Sequence, residues 1–391
     1  MLSPTLLRAL LLALAGLAPL IAHAQVRPLI PSRAHSLSVS VLTCDAGDDI
    51  PTAYGHVAIR LRDTSTYHPL DIVFDYGTFN YGDPLFLLKF GRGTLLYYLS
   101  VRSFEQFYDE YAGEQRRVTE QRLMLTELQR QRIAELLFSN YQPENRYYLY
   151  DFITDNCATR IRDLLEHPDF THPLIGPDST YRQLIHHYLL HRPWLGLAID
   201  MLLGPSTDEK ASFGQSLFLP YTLANGLAHY RNQTNGQPLA EPAQVLIEGR
   251  TAQHHWAIAE PWVAFWLLFA LTAWLMLRQR LRALRYMTIV AFGLVSLIGA
   301  VLLFLWVGSR YSCTNMNLNL LWCAPLYPLL LLPLSAATKR VLLLLSGTML
   351  TAVLLMGWWG MPQQFNAAVY PISATLLLLI YNKLRQLPAP K

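Results

Sequence analysis

All 27 acidic residues of the 391-residue chain precede Pro261, and the 131 residues from Pro261 onward contain none. That asymmetry constrains the fold more than any motif, because a stretch with no acid cannot carry an ordinary water-facing surface. The residues from Gln25 to Glu260 hold 20 basic against 27 acidic side chains, a net of −7, whereas the final stretch carries +10. With charged residues at only 15% overall, against roughly 25% in soluble domains, the chain divides into a folded acidic half and an apolar basic half. Nucleic acid is excluded as a partner, because the folded half is acidic and the basic residues sit at the edges of apolar runs.

Residues 1–24 read as a secretory signal peptide. Arg8 is the only charge, the apolar run Ala9–Ile21 follows, and Ala22-His23-Ala24 gives the small-x-small cleavage pattern. An uncleaved N-terminal anchor is the alternative, and either way the next segment is exported. Residues 25–250 are long enough for one domain with a full core, 251–260 form a juxtamembrane linker, and 261–391 form a multi-pass membrane domain. The stretch Asn232–Gln244 is turn-rich and also reads as linker.

Five apolar runs follow: Pro261–Leu277, Met287–Val307, Leu318–Ala337, Val341–Trp358 and Ala367–Tyr381. A bilayer core of about 30 Å needs around 20 helical residues, which predicts about five transmembrane helices. Arg278, Arg280, Arg282 and Arg285 lie between the first two runs, Lys339 and Arg340 between the third and fourth, and Lys383, Arg385 and Lys391 after the fifth. The alternate loops hold only Arg310. By the bias of Lys and Arg toward the cytoplasm, the large N-terminal domain is extracytoplasmic and the C-terminus is cytoplasmic. Pro325, Pro328 and Pro333 predict a kink in the third helix. The polar loop Ser309–Asn319 joins two helices or meets lipid headgroups or the exported domain.

In the exported half, Leu37–Thr43, Gly55–Arg62 and Leu70–Tyr76 read as strands, with a turn around Asp63–Pro69. Ser103–Tyr111, Thr126–Asn140, a run beginning near Cys157, and Tyr181–Leu203 read as helices, with Thr126 and Asp155 or Asn156 as caps. Strands followed by helices predict an α+β domain.

Of four cysteines, Cys44 and Cys157 fall in the exported domain. Cys157 follows two capping residues and opens a helix. A thiol there meets the positive end of the helix dipole and free backbone N–H groups, which favour the nucleophilic thiolate and suit an oxyanion. A buried or disulfide-bonded cysteine is the other reading of the same residue. His56, at the start of a strand, is the natural general base, with Asp75 as its orienting group and Asp71 behind it. Tyr54, Tyr76, Arg60 and Asn156 are candidate substrate-binding residues. Tyr97, Tyr98, Tyr147, Tyr148 and Tyr150 line an acyl groove or pack in the core; Arg92, Arg160 and Arg162 meet lipid phosphates or pair with acids. His186, His187 and His191 lack a metal-binding context, so neither a metal nor a cofactor is expected.

The runs Val41-Leu42-Thr43-Cys44-Asp45 and Tyr54-Gly55-His56-Val57-Ala58-Ile59-Arg60 carry a resemblance. So do Phe74-Asp75-Tyr76-Gly77-Thr78-Phe79, Lys89-Phe90-Gly91-Arg92-Gly93, Tyr150-Asp151-Phe152, Asp155-Asn156-Cys157-Ala158-Thr159-Arg160 and Phe218-Leu219-Pro220. Together they resemble the Lnb N-terminal periplasmic domain family across Ser36–Leu223, and Asn317–Trp322 resembles the extracytoplasmic loop of its longer members. Those members have an acidic residue and a histidine where this chain has Arg310 and Tyr311. The resemblance implies a circularly permuted papain-like fold, as in lecithin:retinol acyltransferase-like proteins and NlpC-type cell-wall peptidases. It also implies lipoprotein N-terminal transacylation, in which an acyl chain moves from the glycerol of a lipid-modified N-terminal cysteine onto that cysteine's amine. Cys157 then matches the nucleophile and His56 the general base, and the substrate is a lipoprotein or phospholipid in the membrane. Two other expectations stand beside this one: a cell-wall peptide cysteine peptidase or amidase using the same dyad, and a non-catalytic membrane module in which Cys44 pairs with Cys157.

Overall fold

The first strand, β1 (Leu37–Cys44), mixes apolar residues only with small Ser and Thr and is buried along almost its whole length. Such a strand needs cover on both faces, and helices supply it. The computed structural model describes residues 36–65, 69–80, 82–250, 260–359 and 362–388. The signal-peptide residues, nearly all of 251–260 and part of the turn at 63–69 lie outside them. β1 pairs with β2 (His56–Asp63), which pairs with β3 (Leu70–Phe79). The chain then forms α1 (Phe86–Arg92), β4 (Leu96–Ser103), α2 (Phe104–Gly113), β5 (Val118–Arg122), α3 (Glu127–Tyr141), β6 (Tyr147–Leu149) and α4 (Cys157–Leu165). β7 (Phe170–Thr171), α5 (Tyr181–His186), α6 (Pro193–Leu202), α7 (Phe213–Ser216), α8 (Pro220–Leu227), β8 (Arg231–Asn232) and β9 (Gln244–Ile247) complete the domain. The main sheet is antiparallel in the order β6-β4-β3-β2-β1-β5-β9, and β7 pairs with β8.

Alternation along β1 and β2 divides the core. Val39, Val41, Val57 and Ile59 face the side covered by α3, α4 and α8. Leu42, Cys44 and Ala58 face the side covered by α2, with Phe107 and Tyr111. The predicted α+β domain is present. Thr126 and Asn156 cap α3 and α4 as expected.

Three expectations need correction. Tyr181–Leu203 is not one helix: the helix stops at His186, and Pro193 starts the next at its first position, where a missing N–H costs nothing. Asn232–Gln244 is not free linker. Asn232 is fully buried with its side chain bonded to Gln129, Ala240 bridges to Leu123, and β9 adds to the sheet edge beside β5. The third apolar run, Leu318–Ala337, is no kinked helix but a chain of 3-10 turns at Leu318–Leu321 and Tyr327–Leu331. Its prolines deny the run the donors a continuous helix needs. Trp322, Cys323 and Tyr327 are buried against other apolar residues, which lets irregular backbone persist at this depth.

The rest of this half is α9 (Pro261–Leu277), α10 (Leu281–Gly308), α11 (Ala336–Trp359) and α12 (Val369–Gln386). Two stretches, Leu281–Gly308 and Ala336–Met356, are long and apolar enough to cross a membrane.

A buried polar joint fixes one half to the other. The side-chain amides of Asn317 and Asn319 donate to the Met201 carbonyl, and that of Asn366 donates to Asp200 at 2.8 Å. Asp200 also receives Arg182 at 2.9 Å and His186 at 2.8 Å, while Arg182 reaches Asp208 at 2.8 Å. Arg182→Ala removes the cation from between two buried carboxylates and is expected to lower stability by about 3–5 kcal/mol. Thermal unfolding of the full chain in detergent checks this, and an unchanged midpoint would refute it.

Candidate active site

Asn156 decides where α4 begins. Its side-chain oxygen accepts from the N–H of Ala158 at 2.8 Å and of Thr159 at 3.0 Å, and Thr159 Oγ1 accepts from Asn156 N–H at 2.7 Å. Its amide nitrogen donates to the carbonyls of Phe152 and Phe218. Every polar atom of the Asn156 side chain is thus engaged, so it locks Cys157 into the first helical position instead of contacting substrate. The cap also occupies two of the N–H groups expected to hold an oxyanion. The N–H of Cys157 itself has no partner among the described residues.

His56 opens β2, and its Nε2 lies 2.5 Å from Asp75 Oδ1. That leaves the other ring nitrogen, Nδ1, for Cys157, whose Cβ and the imidazole Cε1 both border Gly77. Between Asp75 and Thr78 the β3–β4 register breaks in a bulge, where Gly77 has φ +97°. A Cβ added to Gly77 would sit 3.8 Å from both Cys157 Cβ and His56 Cε1. Gly77→Ala is therefore expected to cost about 1–3 kcal/mol through backbone strain at φ +97°, and to lower turnover by shifting the bulge that sets Asp75 and the dyad. Parallel unfolding and activity assays would show both losses; normal turnover would contradict the placement.

Asp75 is held from its far side by Arg102, which donates to Oδ2 at 2.8 Å and also bonds Glu110. Burial works against the charged imidazolium of His56. The charges of Asp75 and the Cys157 thiolate, with hydrogen bonds to both, outweigh it and raise the pKa to about 10. Burial likewise pushes the Asp75 carboxyl up, but His56 and Arg102 together hold it below its ordinary range. The arrangement Cys157–His56–Asp75–Arg102 favours a charged imidazolium beside the thiol.

The other expected residues fall elsewhere. Arg60 lies in the α2 side of the sheet, bonded to both oxygens of Asp71 at 2.7 and 2.6 Å, paired with Glu120 at 3.2 Å and stacked 3.3 Å over Phe104. It is a structural cation, buried among these partners, and Asp71 goes with it. Tyr76 is a core residue whose hydroxyl accepts from Asn140 at 2.8 Å. Arg160 forks onto Asp155 and covers Tyr148, so it too is an internal ion pair. Tyr54 packs edge-on to Phe152 and Tyr188, and its buried hydroxyl has no partner among the described residues.

All four cysteines are free, so the module with Cys44 paired to Cys157 is not formed. Cys44 is buried in the α2 cluster beside Tyr111, while Cys157 packs against the cluster on the other face of the sheet.

Sequence reasoning missed Arg102, because β4 reads as a weak strand and only register places Arg102 opposite Val73, near Asp75. It also assigned no place to Tyr311. That ring packs edge-on to Phe90 on α1, and its buried hydroxyl is unpartnered among the described residues. Phe90 stacks on Tyr150, Tyr150 stacks on Tyr97 at 4.5 Å, and Tyr150 and Cys157 both pack against the same core cluster. An aromatic wall thus runs from the membrane half to the thiol.

A family model described as the Lnb N-terminal periplasmic domain matches residues 31–187, and one described as the Lnb transmembrane domain matches residues 252–387. The chain belongs to the Lnb family. No curated protein and no solved structure matches it. In this Lnb protein, His56, Asp75, Arg102 and Cys157 all fall within the periplasmic match, while Tyr311 falls within the transmembrane match. The protein is a membrane protein with its N-terminal domain in the periplasm, joined to a region of the five-helix transmembrane type.

Proposed function

We propose that this Lnb protein is a cysteine-dependent acyltransferase acting on lipid or lipoprotein substrates at the periplasmic face of the inner membrane, with its C-terminus in the cytoplasm. One observation carries the reading: a thiol at a helix N-terminus set beside an imidazole that a buried carboxylate orients. That constellation is the working part of papain-like enzymes, here with histidine before cysteine in the chain, as a permuted fold requires.

The Cys157 thiolate attacks a glycerol ester carbonyl, and the Cys157 N–H steadies the oxyanion. As the C–O bond breaks and the C–S bond forms, the His56 imidazolium gives its proton to the departing alkoxide. An amine, the N-terminus of the lipoprotein itself, then attacks the thioester. The C–N bond forms, the thiolate leaves, and His56 takes the amine's proton. No metal or nucleotide takes part in these steps.

A second reading keeps the dyad and changes the substrate to a cell-wall peptide. A cavity of about 740 Å³ near Cys44, lined by Asp45, Asp48, Arg116, His187, Tyr188 and Arg192, is of the kind that reading needs, but His56, Asp75 and Cys157 do not line it. A polar, charged space of that kind suits a peptide better than an acyl chain.

Mass spectrometry of lipoprotein N-termini separates the two, comparing cells that make equal membrane amounts of wild type and Cys157→Ala. An acyl chain on the N-terminal amine with wild type alone supports transacylation. Identical N-termini would end that assignment and turn the search to cell-wall peptides.

A further inference from the structure

α1 carries the motif Lys89-Phe90-Gly91-Arg92-Gly93, which the chemistry at Cys157 does not account for. Its position does. Gly91 faces Phe304 and Leu305 near the outer end of α10: a Cβ there would lie 3.5 Å from the Phe304 ring. Gly93, in the left-handed region at φ +66°, faces the same segment: a Cβ there would lie 3.2 Å from Arg310 and 3.3 Å from Tyr311. Arg310 N–H donates to the Arg92 carbonyl at 3.1 Å. The short helix is therefore fastened along the last turns of a membrane-crossing helix.

The apolar side chains around it lack cover. Leu85, Leu87 and Leu88 are 52%, 80% and 46% exposed, and the neighbouring Leu303, Phe304 and Val307 of α10 are also exposed. The two surfaces adjoin where Gly91 meets Phe304 and Leu305. A soluble domain seldom leaves so many large apolar side chains together in water. Charge agrees with apolarity: Arg92 and Arg310 are exposed side by side, with no acid partner among the described residues. Leucines below and arginines beside them match the acyl chains and phosphates of a lipid surface.

We propose that α1 lies in the periplasmic leaflet of the bilayer, with Leu85, Leu87 and Leu88 among the acyl chains, and brings those chains to the Phe90–Tyr150 wall that leads to Cys157. The lipid contact stands by itself; the route to Cys157 rests on the acyl-transfer reading. In this arrangement the substrate's chain reaches the thiol along aromatic side chains without crossing water.

The test uses the full chain with Cys157→Ala and Leu87→Cys, labelled with a fluorophore and reconstituted in vesicles of phosphatidylcholine and phosphatidylglycerol that carry a quencher on the acyl chain. The reference is the same label at Leu128, which is 76% exposed on α3 beside Gln129, itself bonded within the periplasmic domain. Quenching at 87 at least about twofold above that at 128 is expected, as for a residue held at the acyl boundary. Equal quenching would overturn the lipid contact. Separately, Leu87→Glu with Leu88→Glu is expected to cut turnover of a vesicle-borne lipoprotein about tenfold, through lost contact with the acyl layer, and to leave reaction of Cys157 with a small water-soluble thiol reagent unchanged. Unchanged turnover would overturn the route, and so would loss of the soluble reaction, which would mean that α1 shapes the site instead of admitting lipid to it. If Cys157→Ala itself left lipoprotein turnover intact, the acyl-transfer reading would fail while the quenching result stood.

Discussion

Cys157→Ala is expected to lower acyl transfer by on the order of 10⁴-fold or more, because it removes the only atom in the constellation able to form the thioester. The loss should appear in kcat with substrate binding nearly intact, since the thiol makes its decisive interaction during the reaction and not before it. Stability should change by less than about 1 kcal/mol: Cys157 is half-buried, alanine is the better helix former, and the cap on Asn156 is untouched. Kinetics and thermal unfolding of the same preparation make the check. An active alanine variant would remove Cys157 from the mechanism altogether.

The second large effect is expected at Asp75. Asp75→Asn keeps the shape of the contact with His56 but removes the charge, and Arg102 is left with Glu110 alone. Turnover should fall by about 10²- to 10⁴-fold, the range for loss of an oriented acid–base group. The pH dependence carries the sign. The His56 pKa is raised to about 10, so the imidazolium and the stability it brings are complete below the ordinary histidine value near 6.5 and are lost as pH rises through about 10. The Asp75 carboxyl is lowered, so its share is present above the ordinary carboxylate value and disappears only as pH falls through its depressed one. Activity that needs the imidazolium therefore has an alkaline limb near pH 10 in the wild type. In Asp75→Asn that limb should move down toward neutrality. A limb that stays near pH 10 would show that Asp75 does not set the charge of His56.

The pattern in the sequence was enough for some of this. The complete loss of acids after Pro261 separates the two halves, since ionised carboxylates are not carried into hydrocarbon. The polar pair Asp155-Asn156 before an apolar-periodic run locates the start of α4, because a capping side chain acts on the N–H groups next to it in the chain. His56 and Asp75 were legible for a similar reason: each lies in a strand strongly enough patterned to be read, and adjacent antiparallel strands bring such positions together. The resemblance joined Cys157 to them.

What the sequence left open is long-range. Arg102 holds Asp75 from a strand with little pattern of its own, and only sheet register brings them together. Arg60 reads like a phosphate ligand, but Asp71, Glu120 and Phe104 enclose it from three separate elements. Whether Cys44 and Cys157 meet depends on which face of the sheet each side chain takes. Local signals act over one helical turn or one strand, and they determined the halves, the elements and the helix that presents the thiol. Packing acts between residues a hundred or more apart. It alone decided that a loop from the membrane half would place Tyr311 against Phe90, and so set the thiol beside a wall that begins at the bilayer.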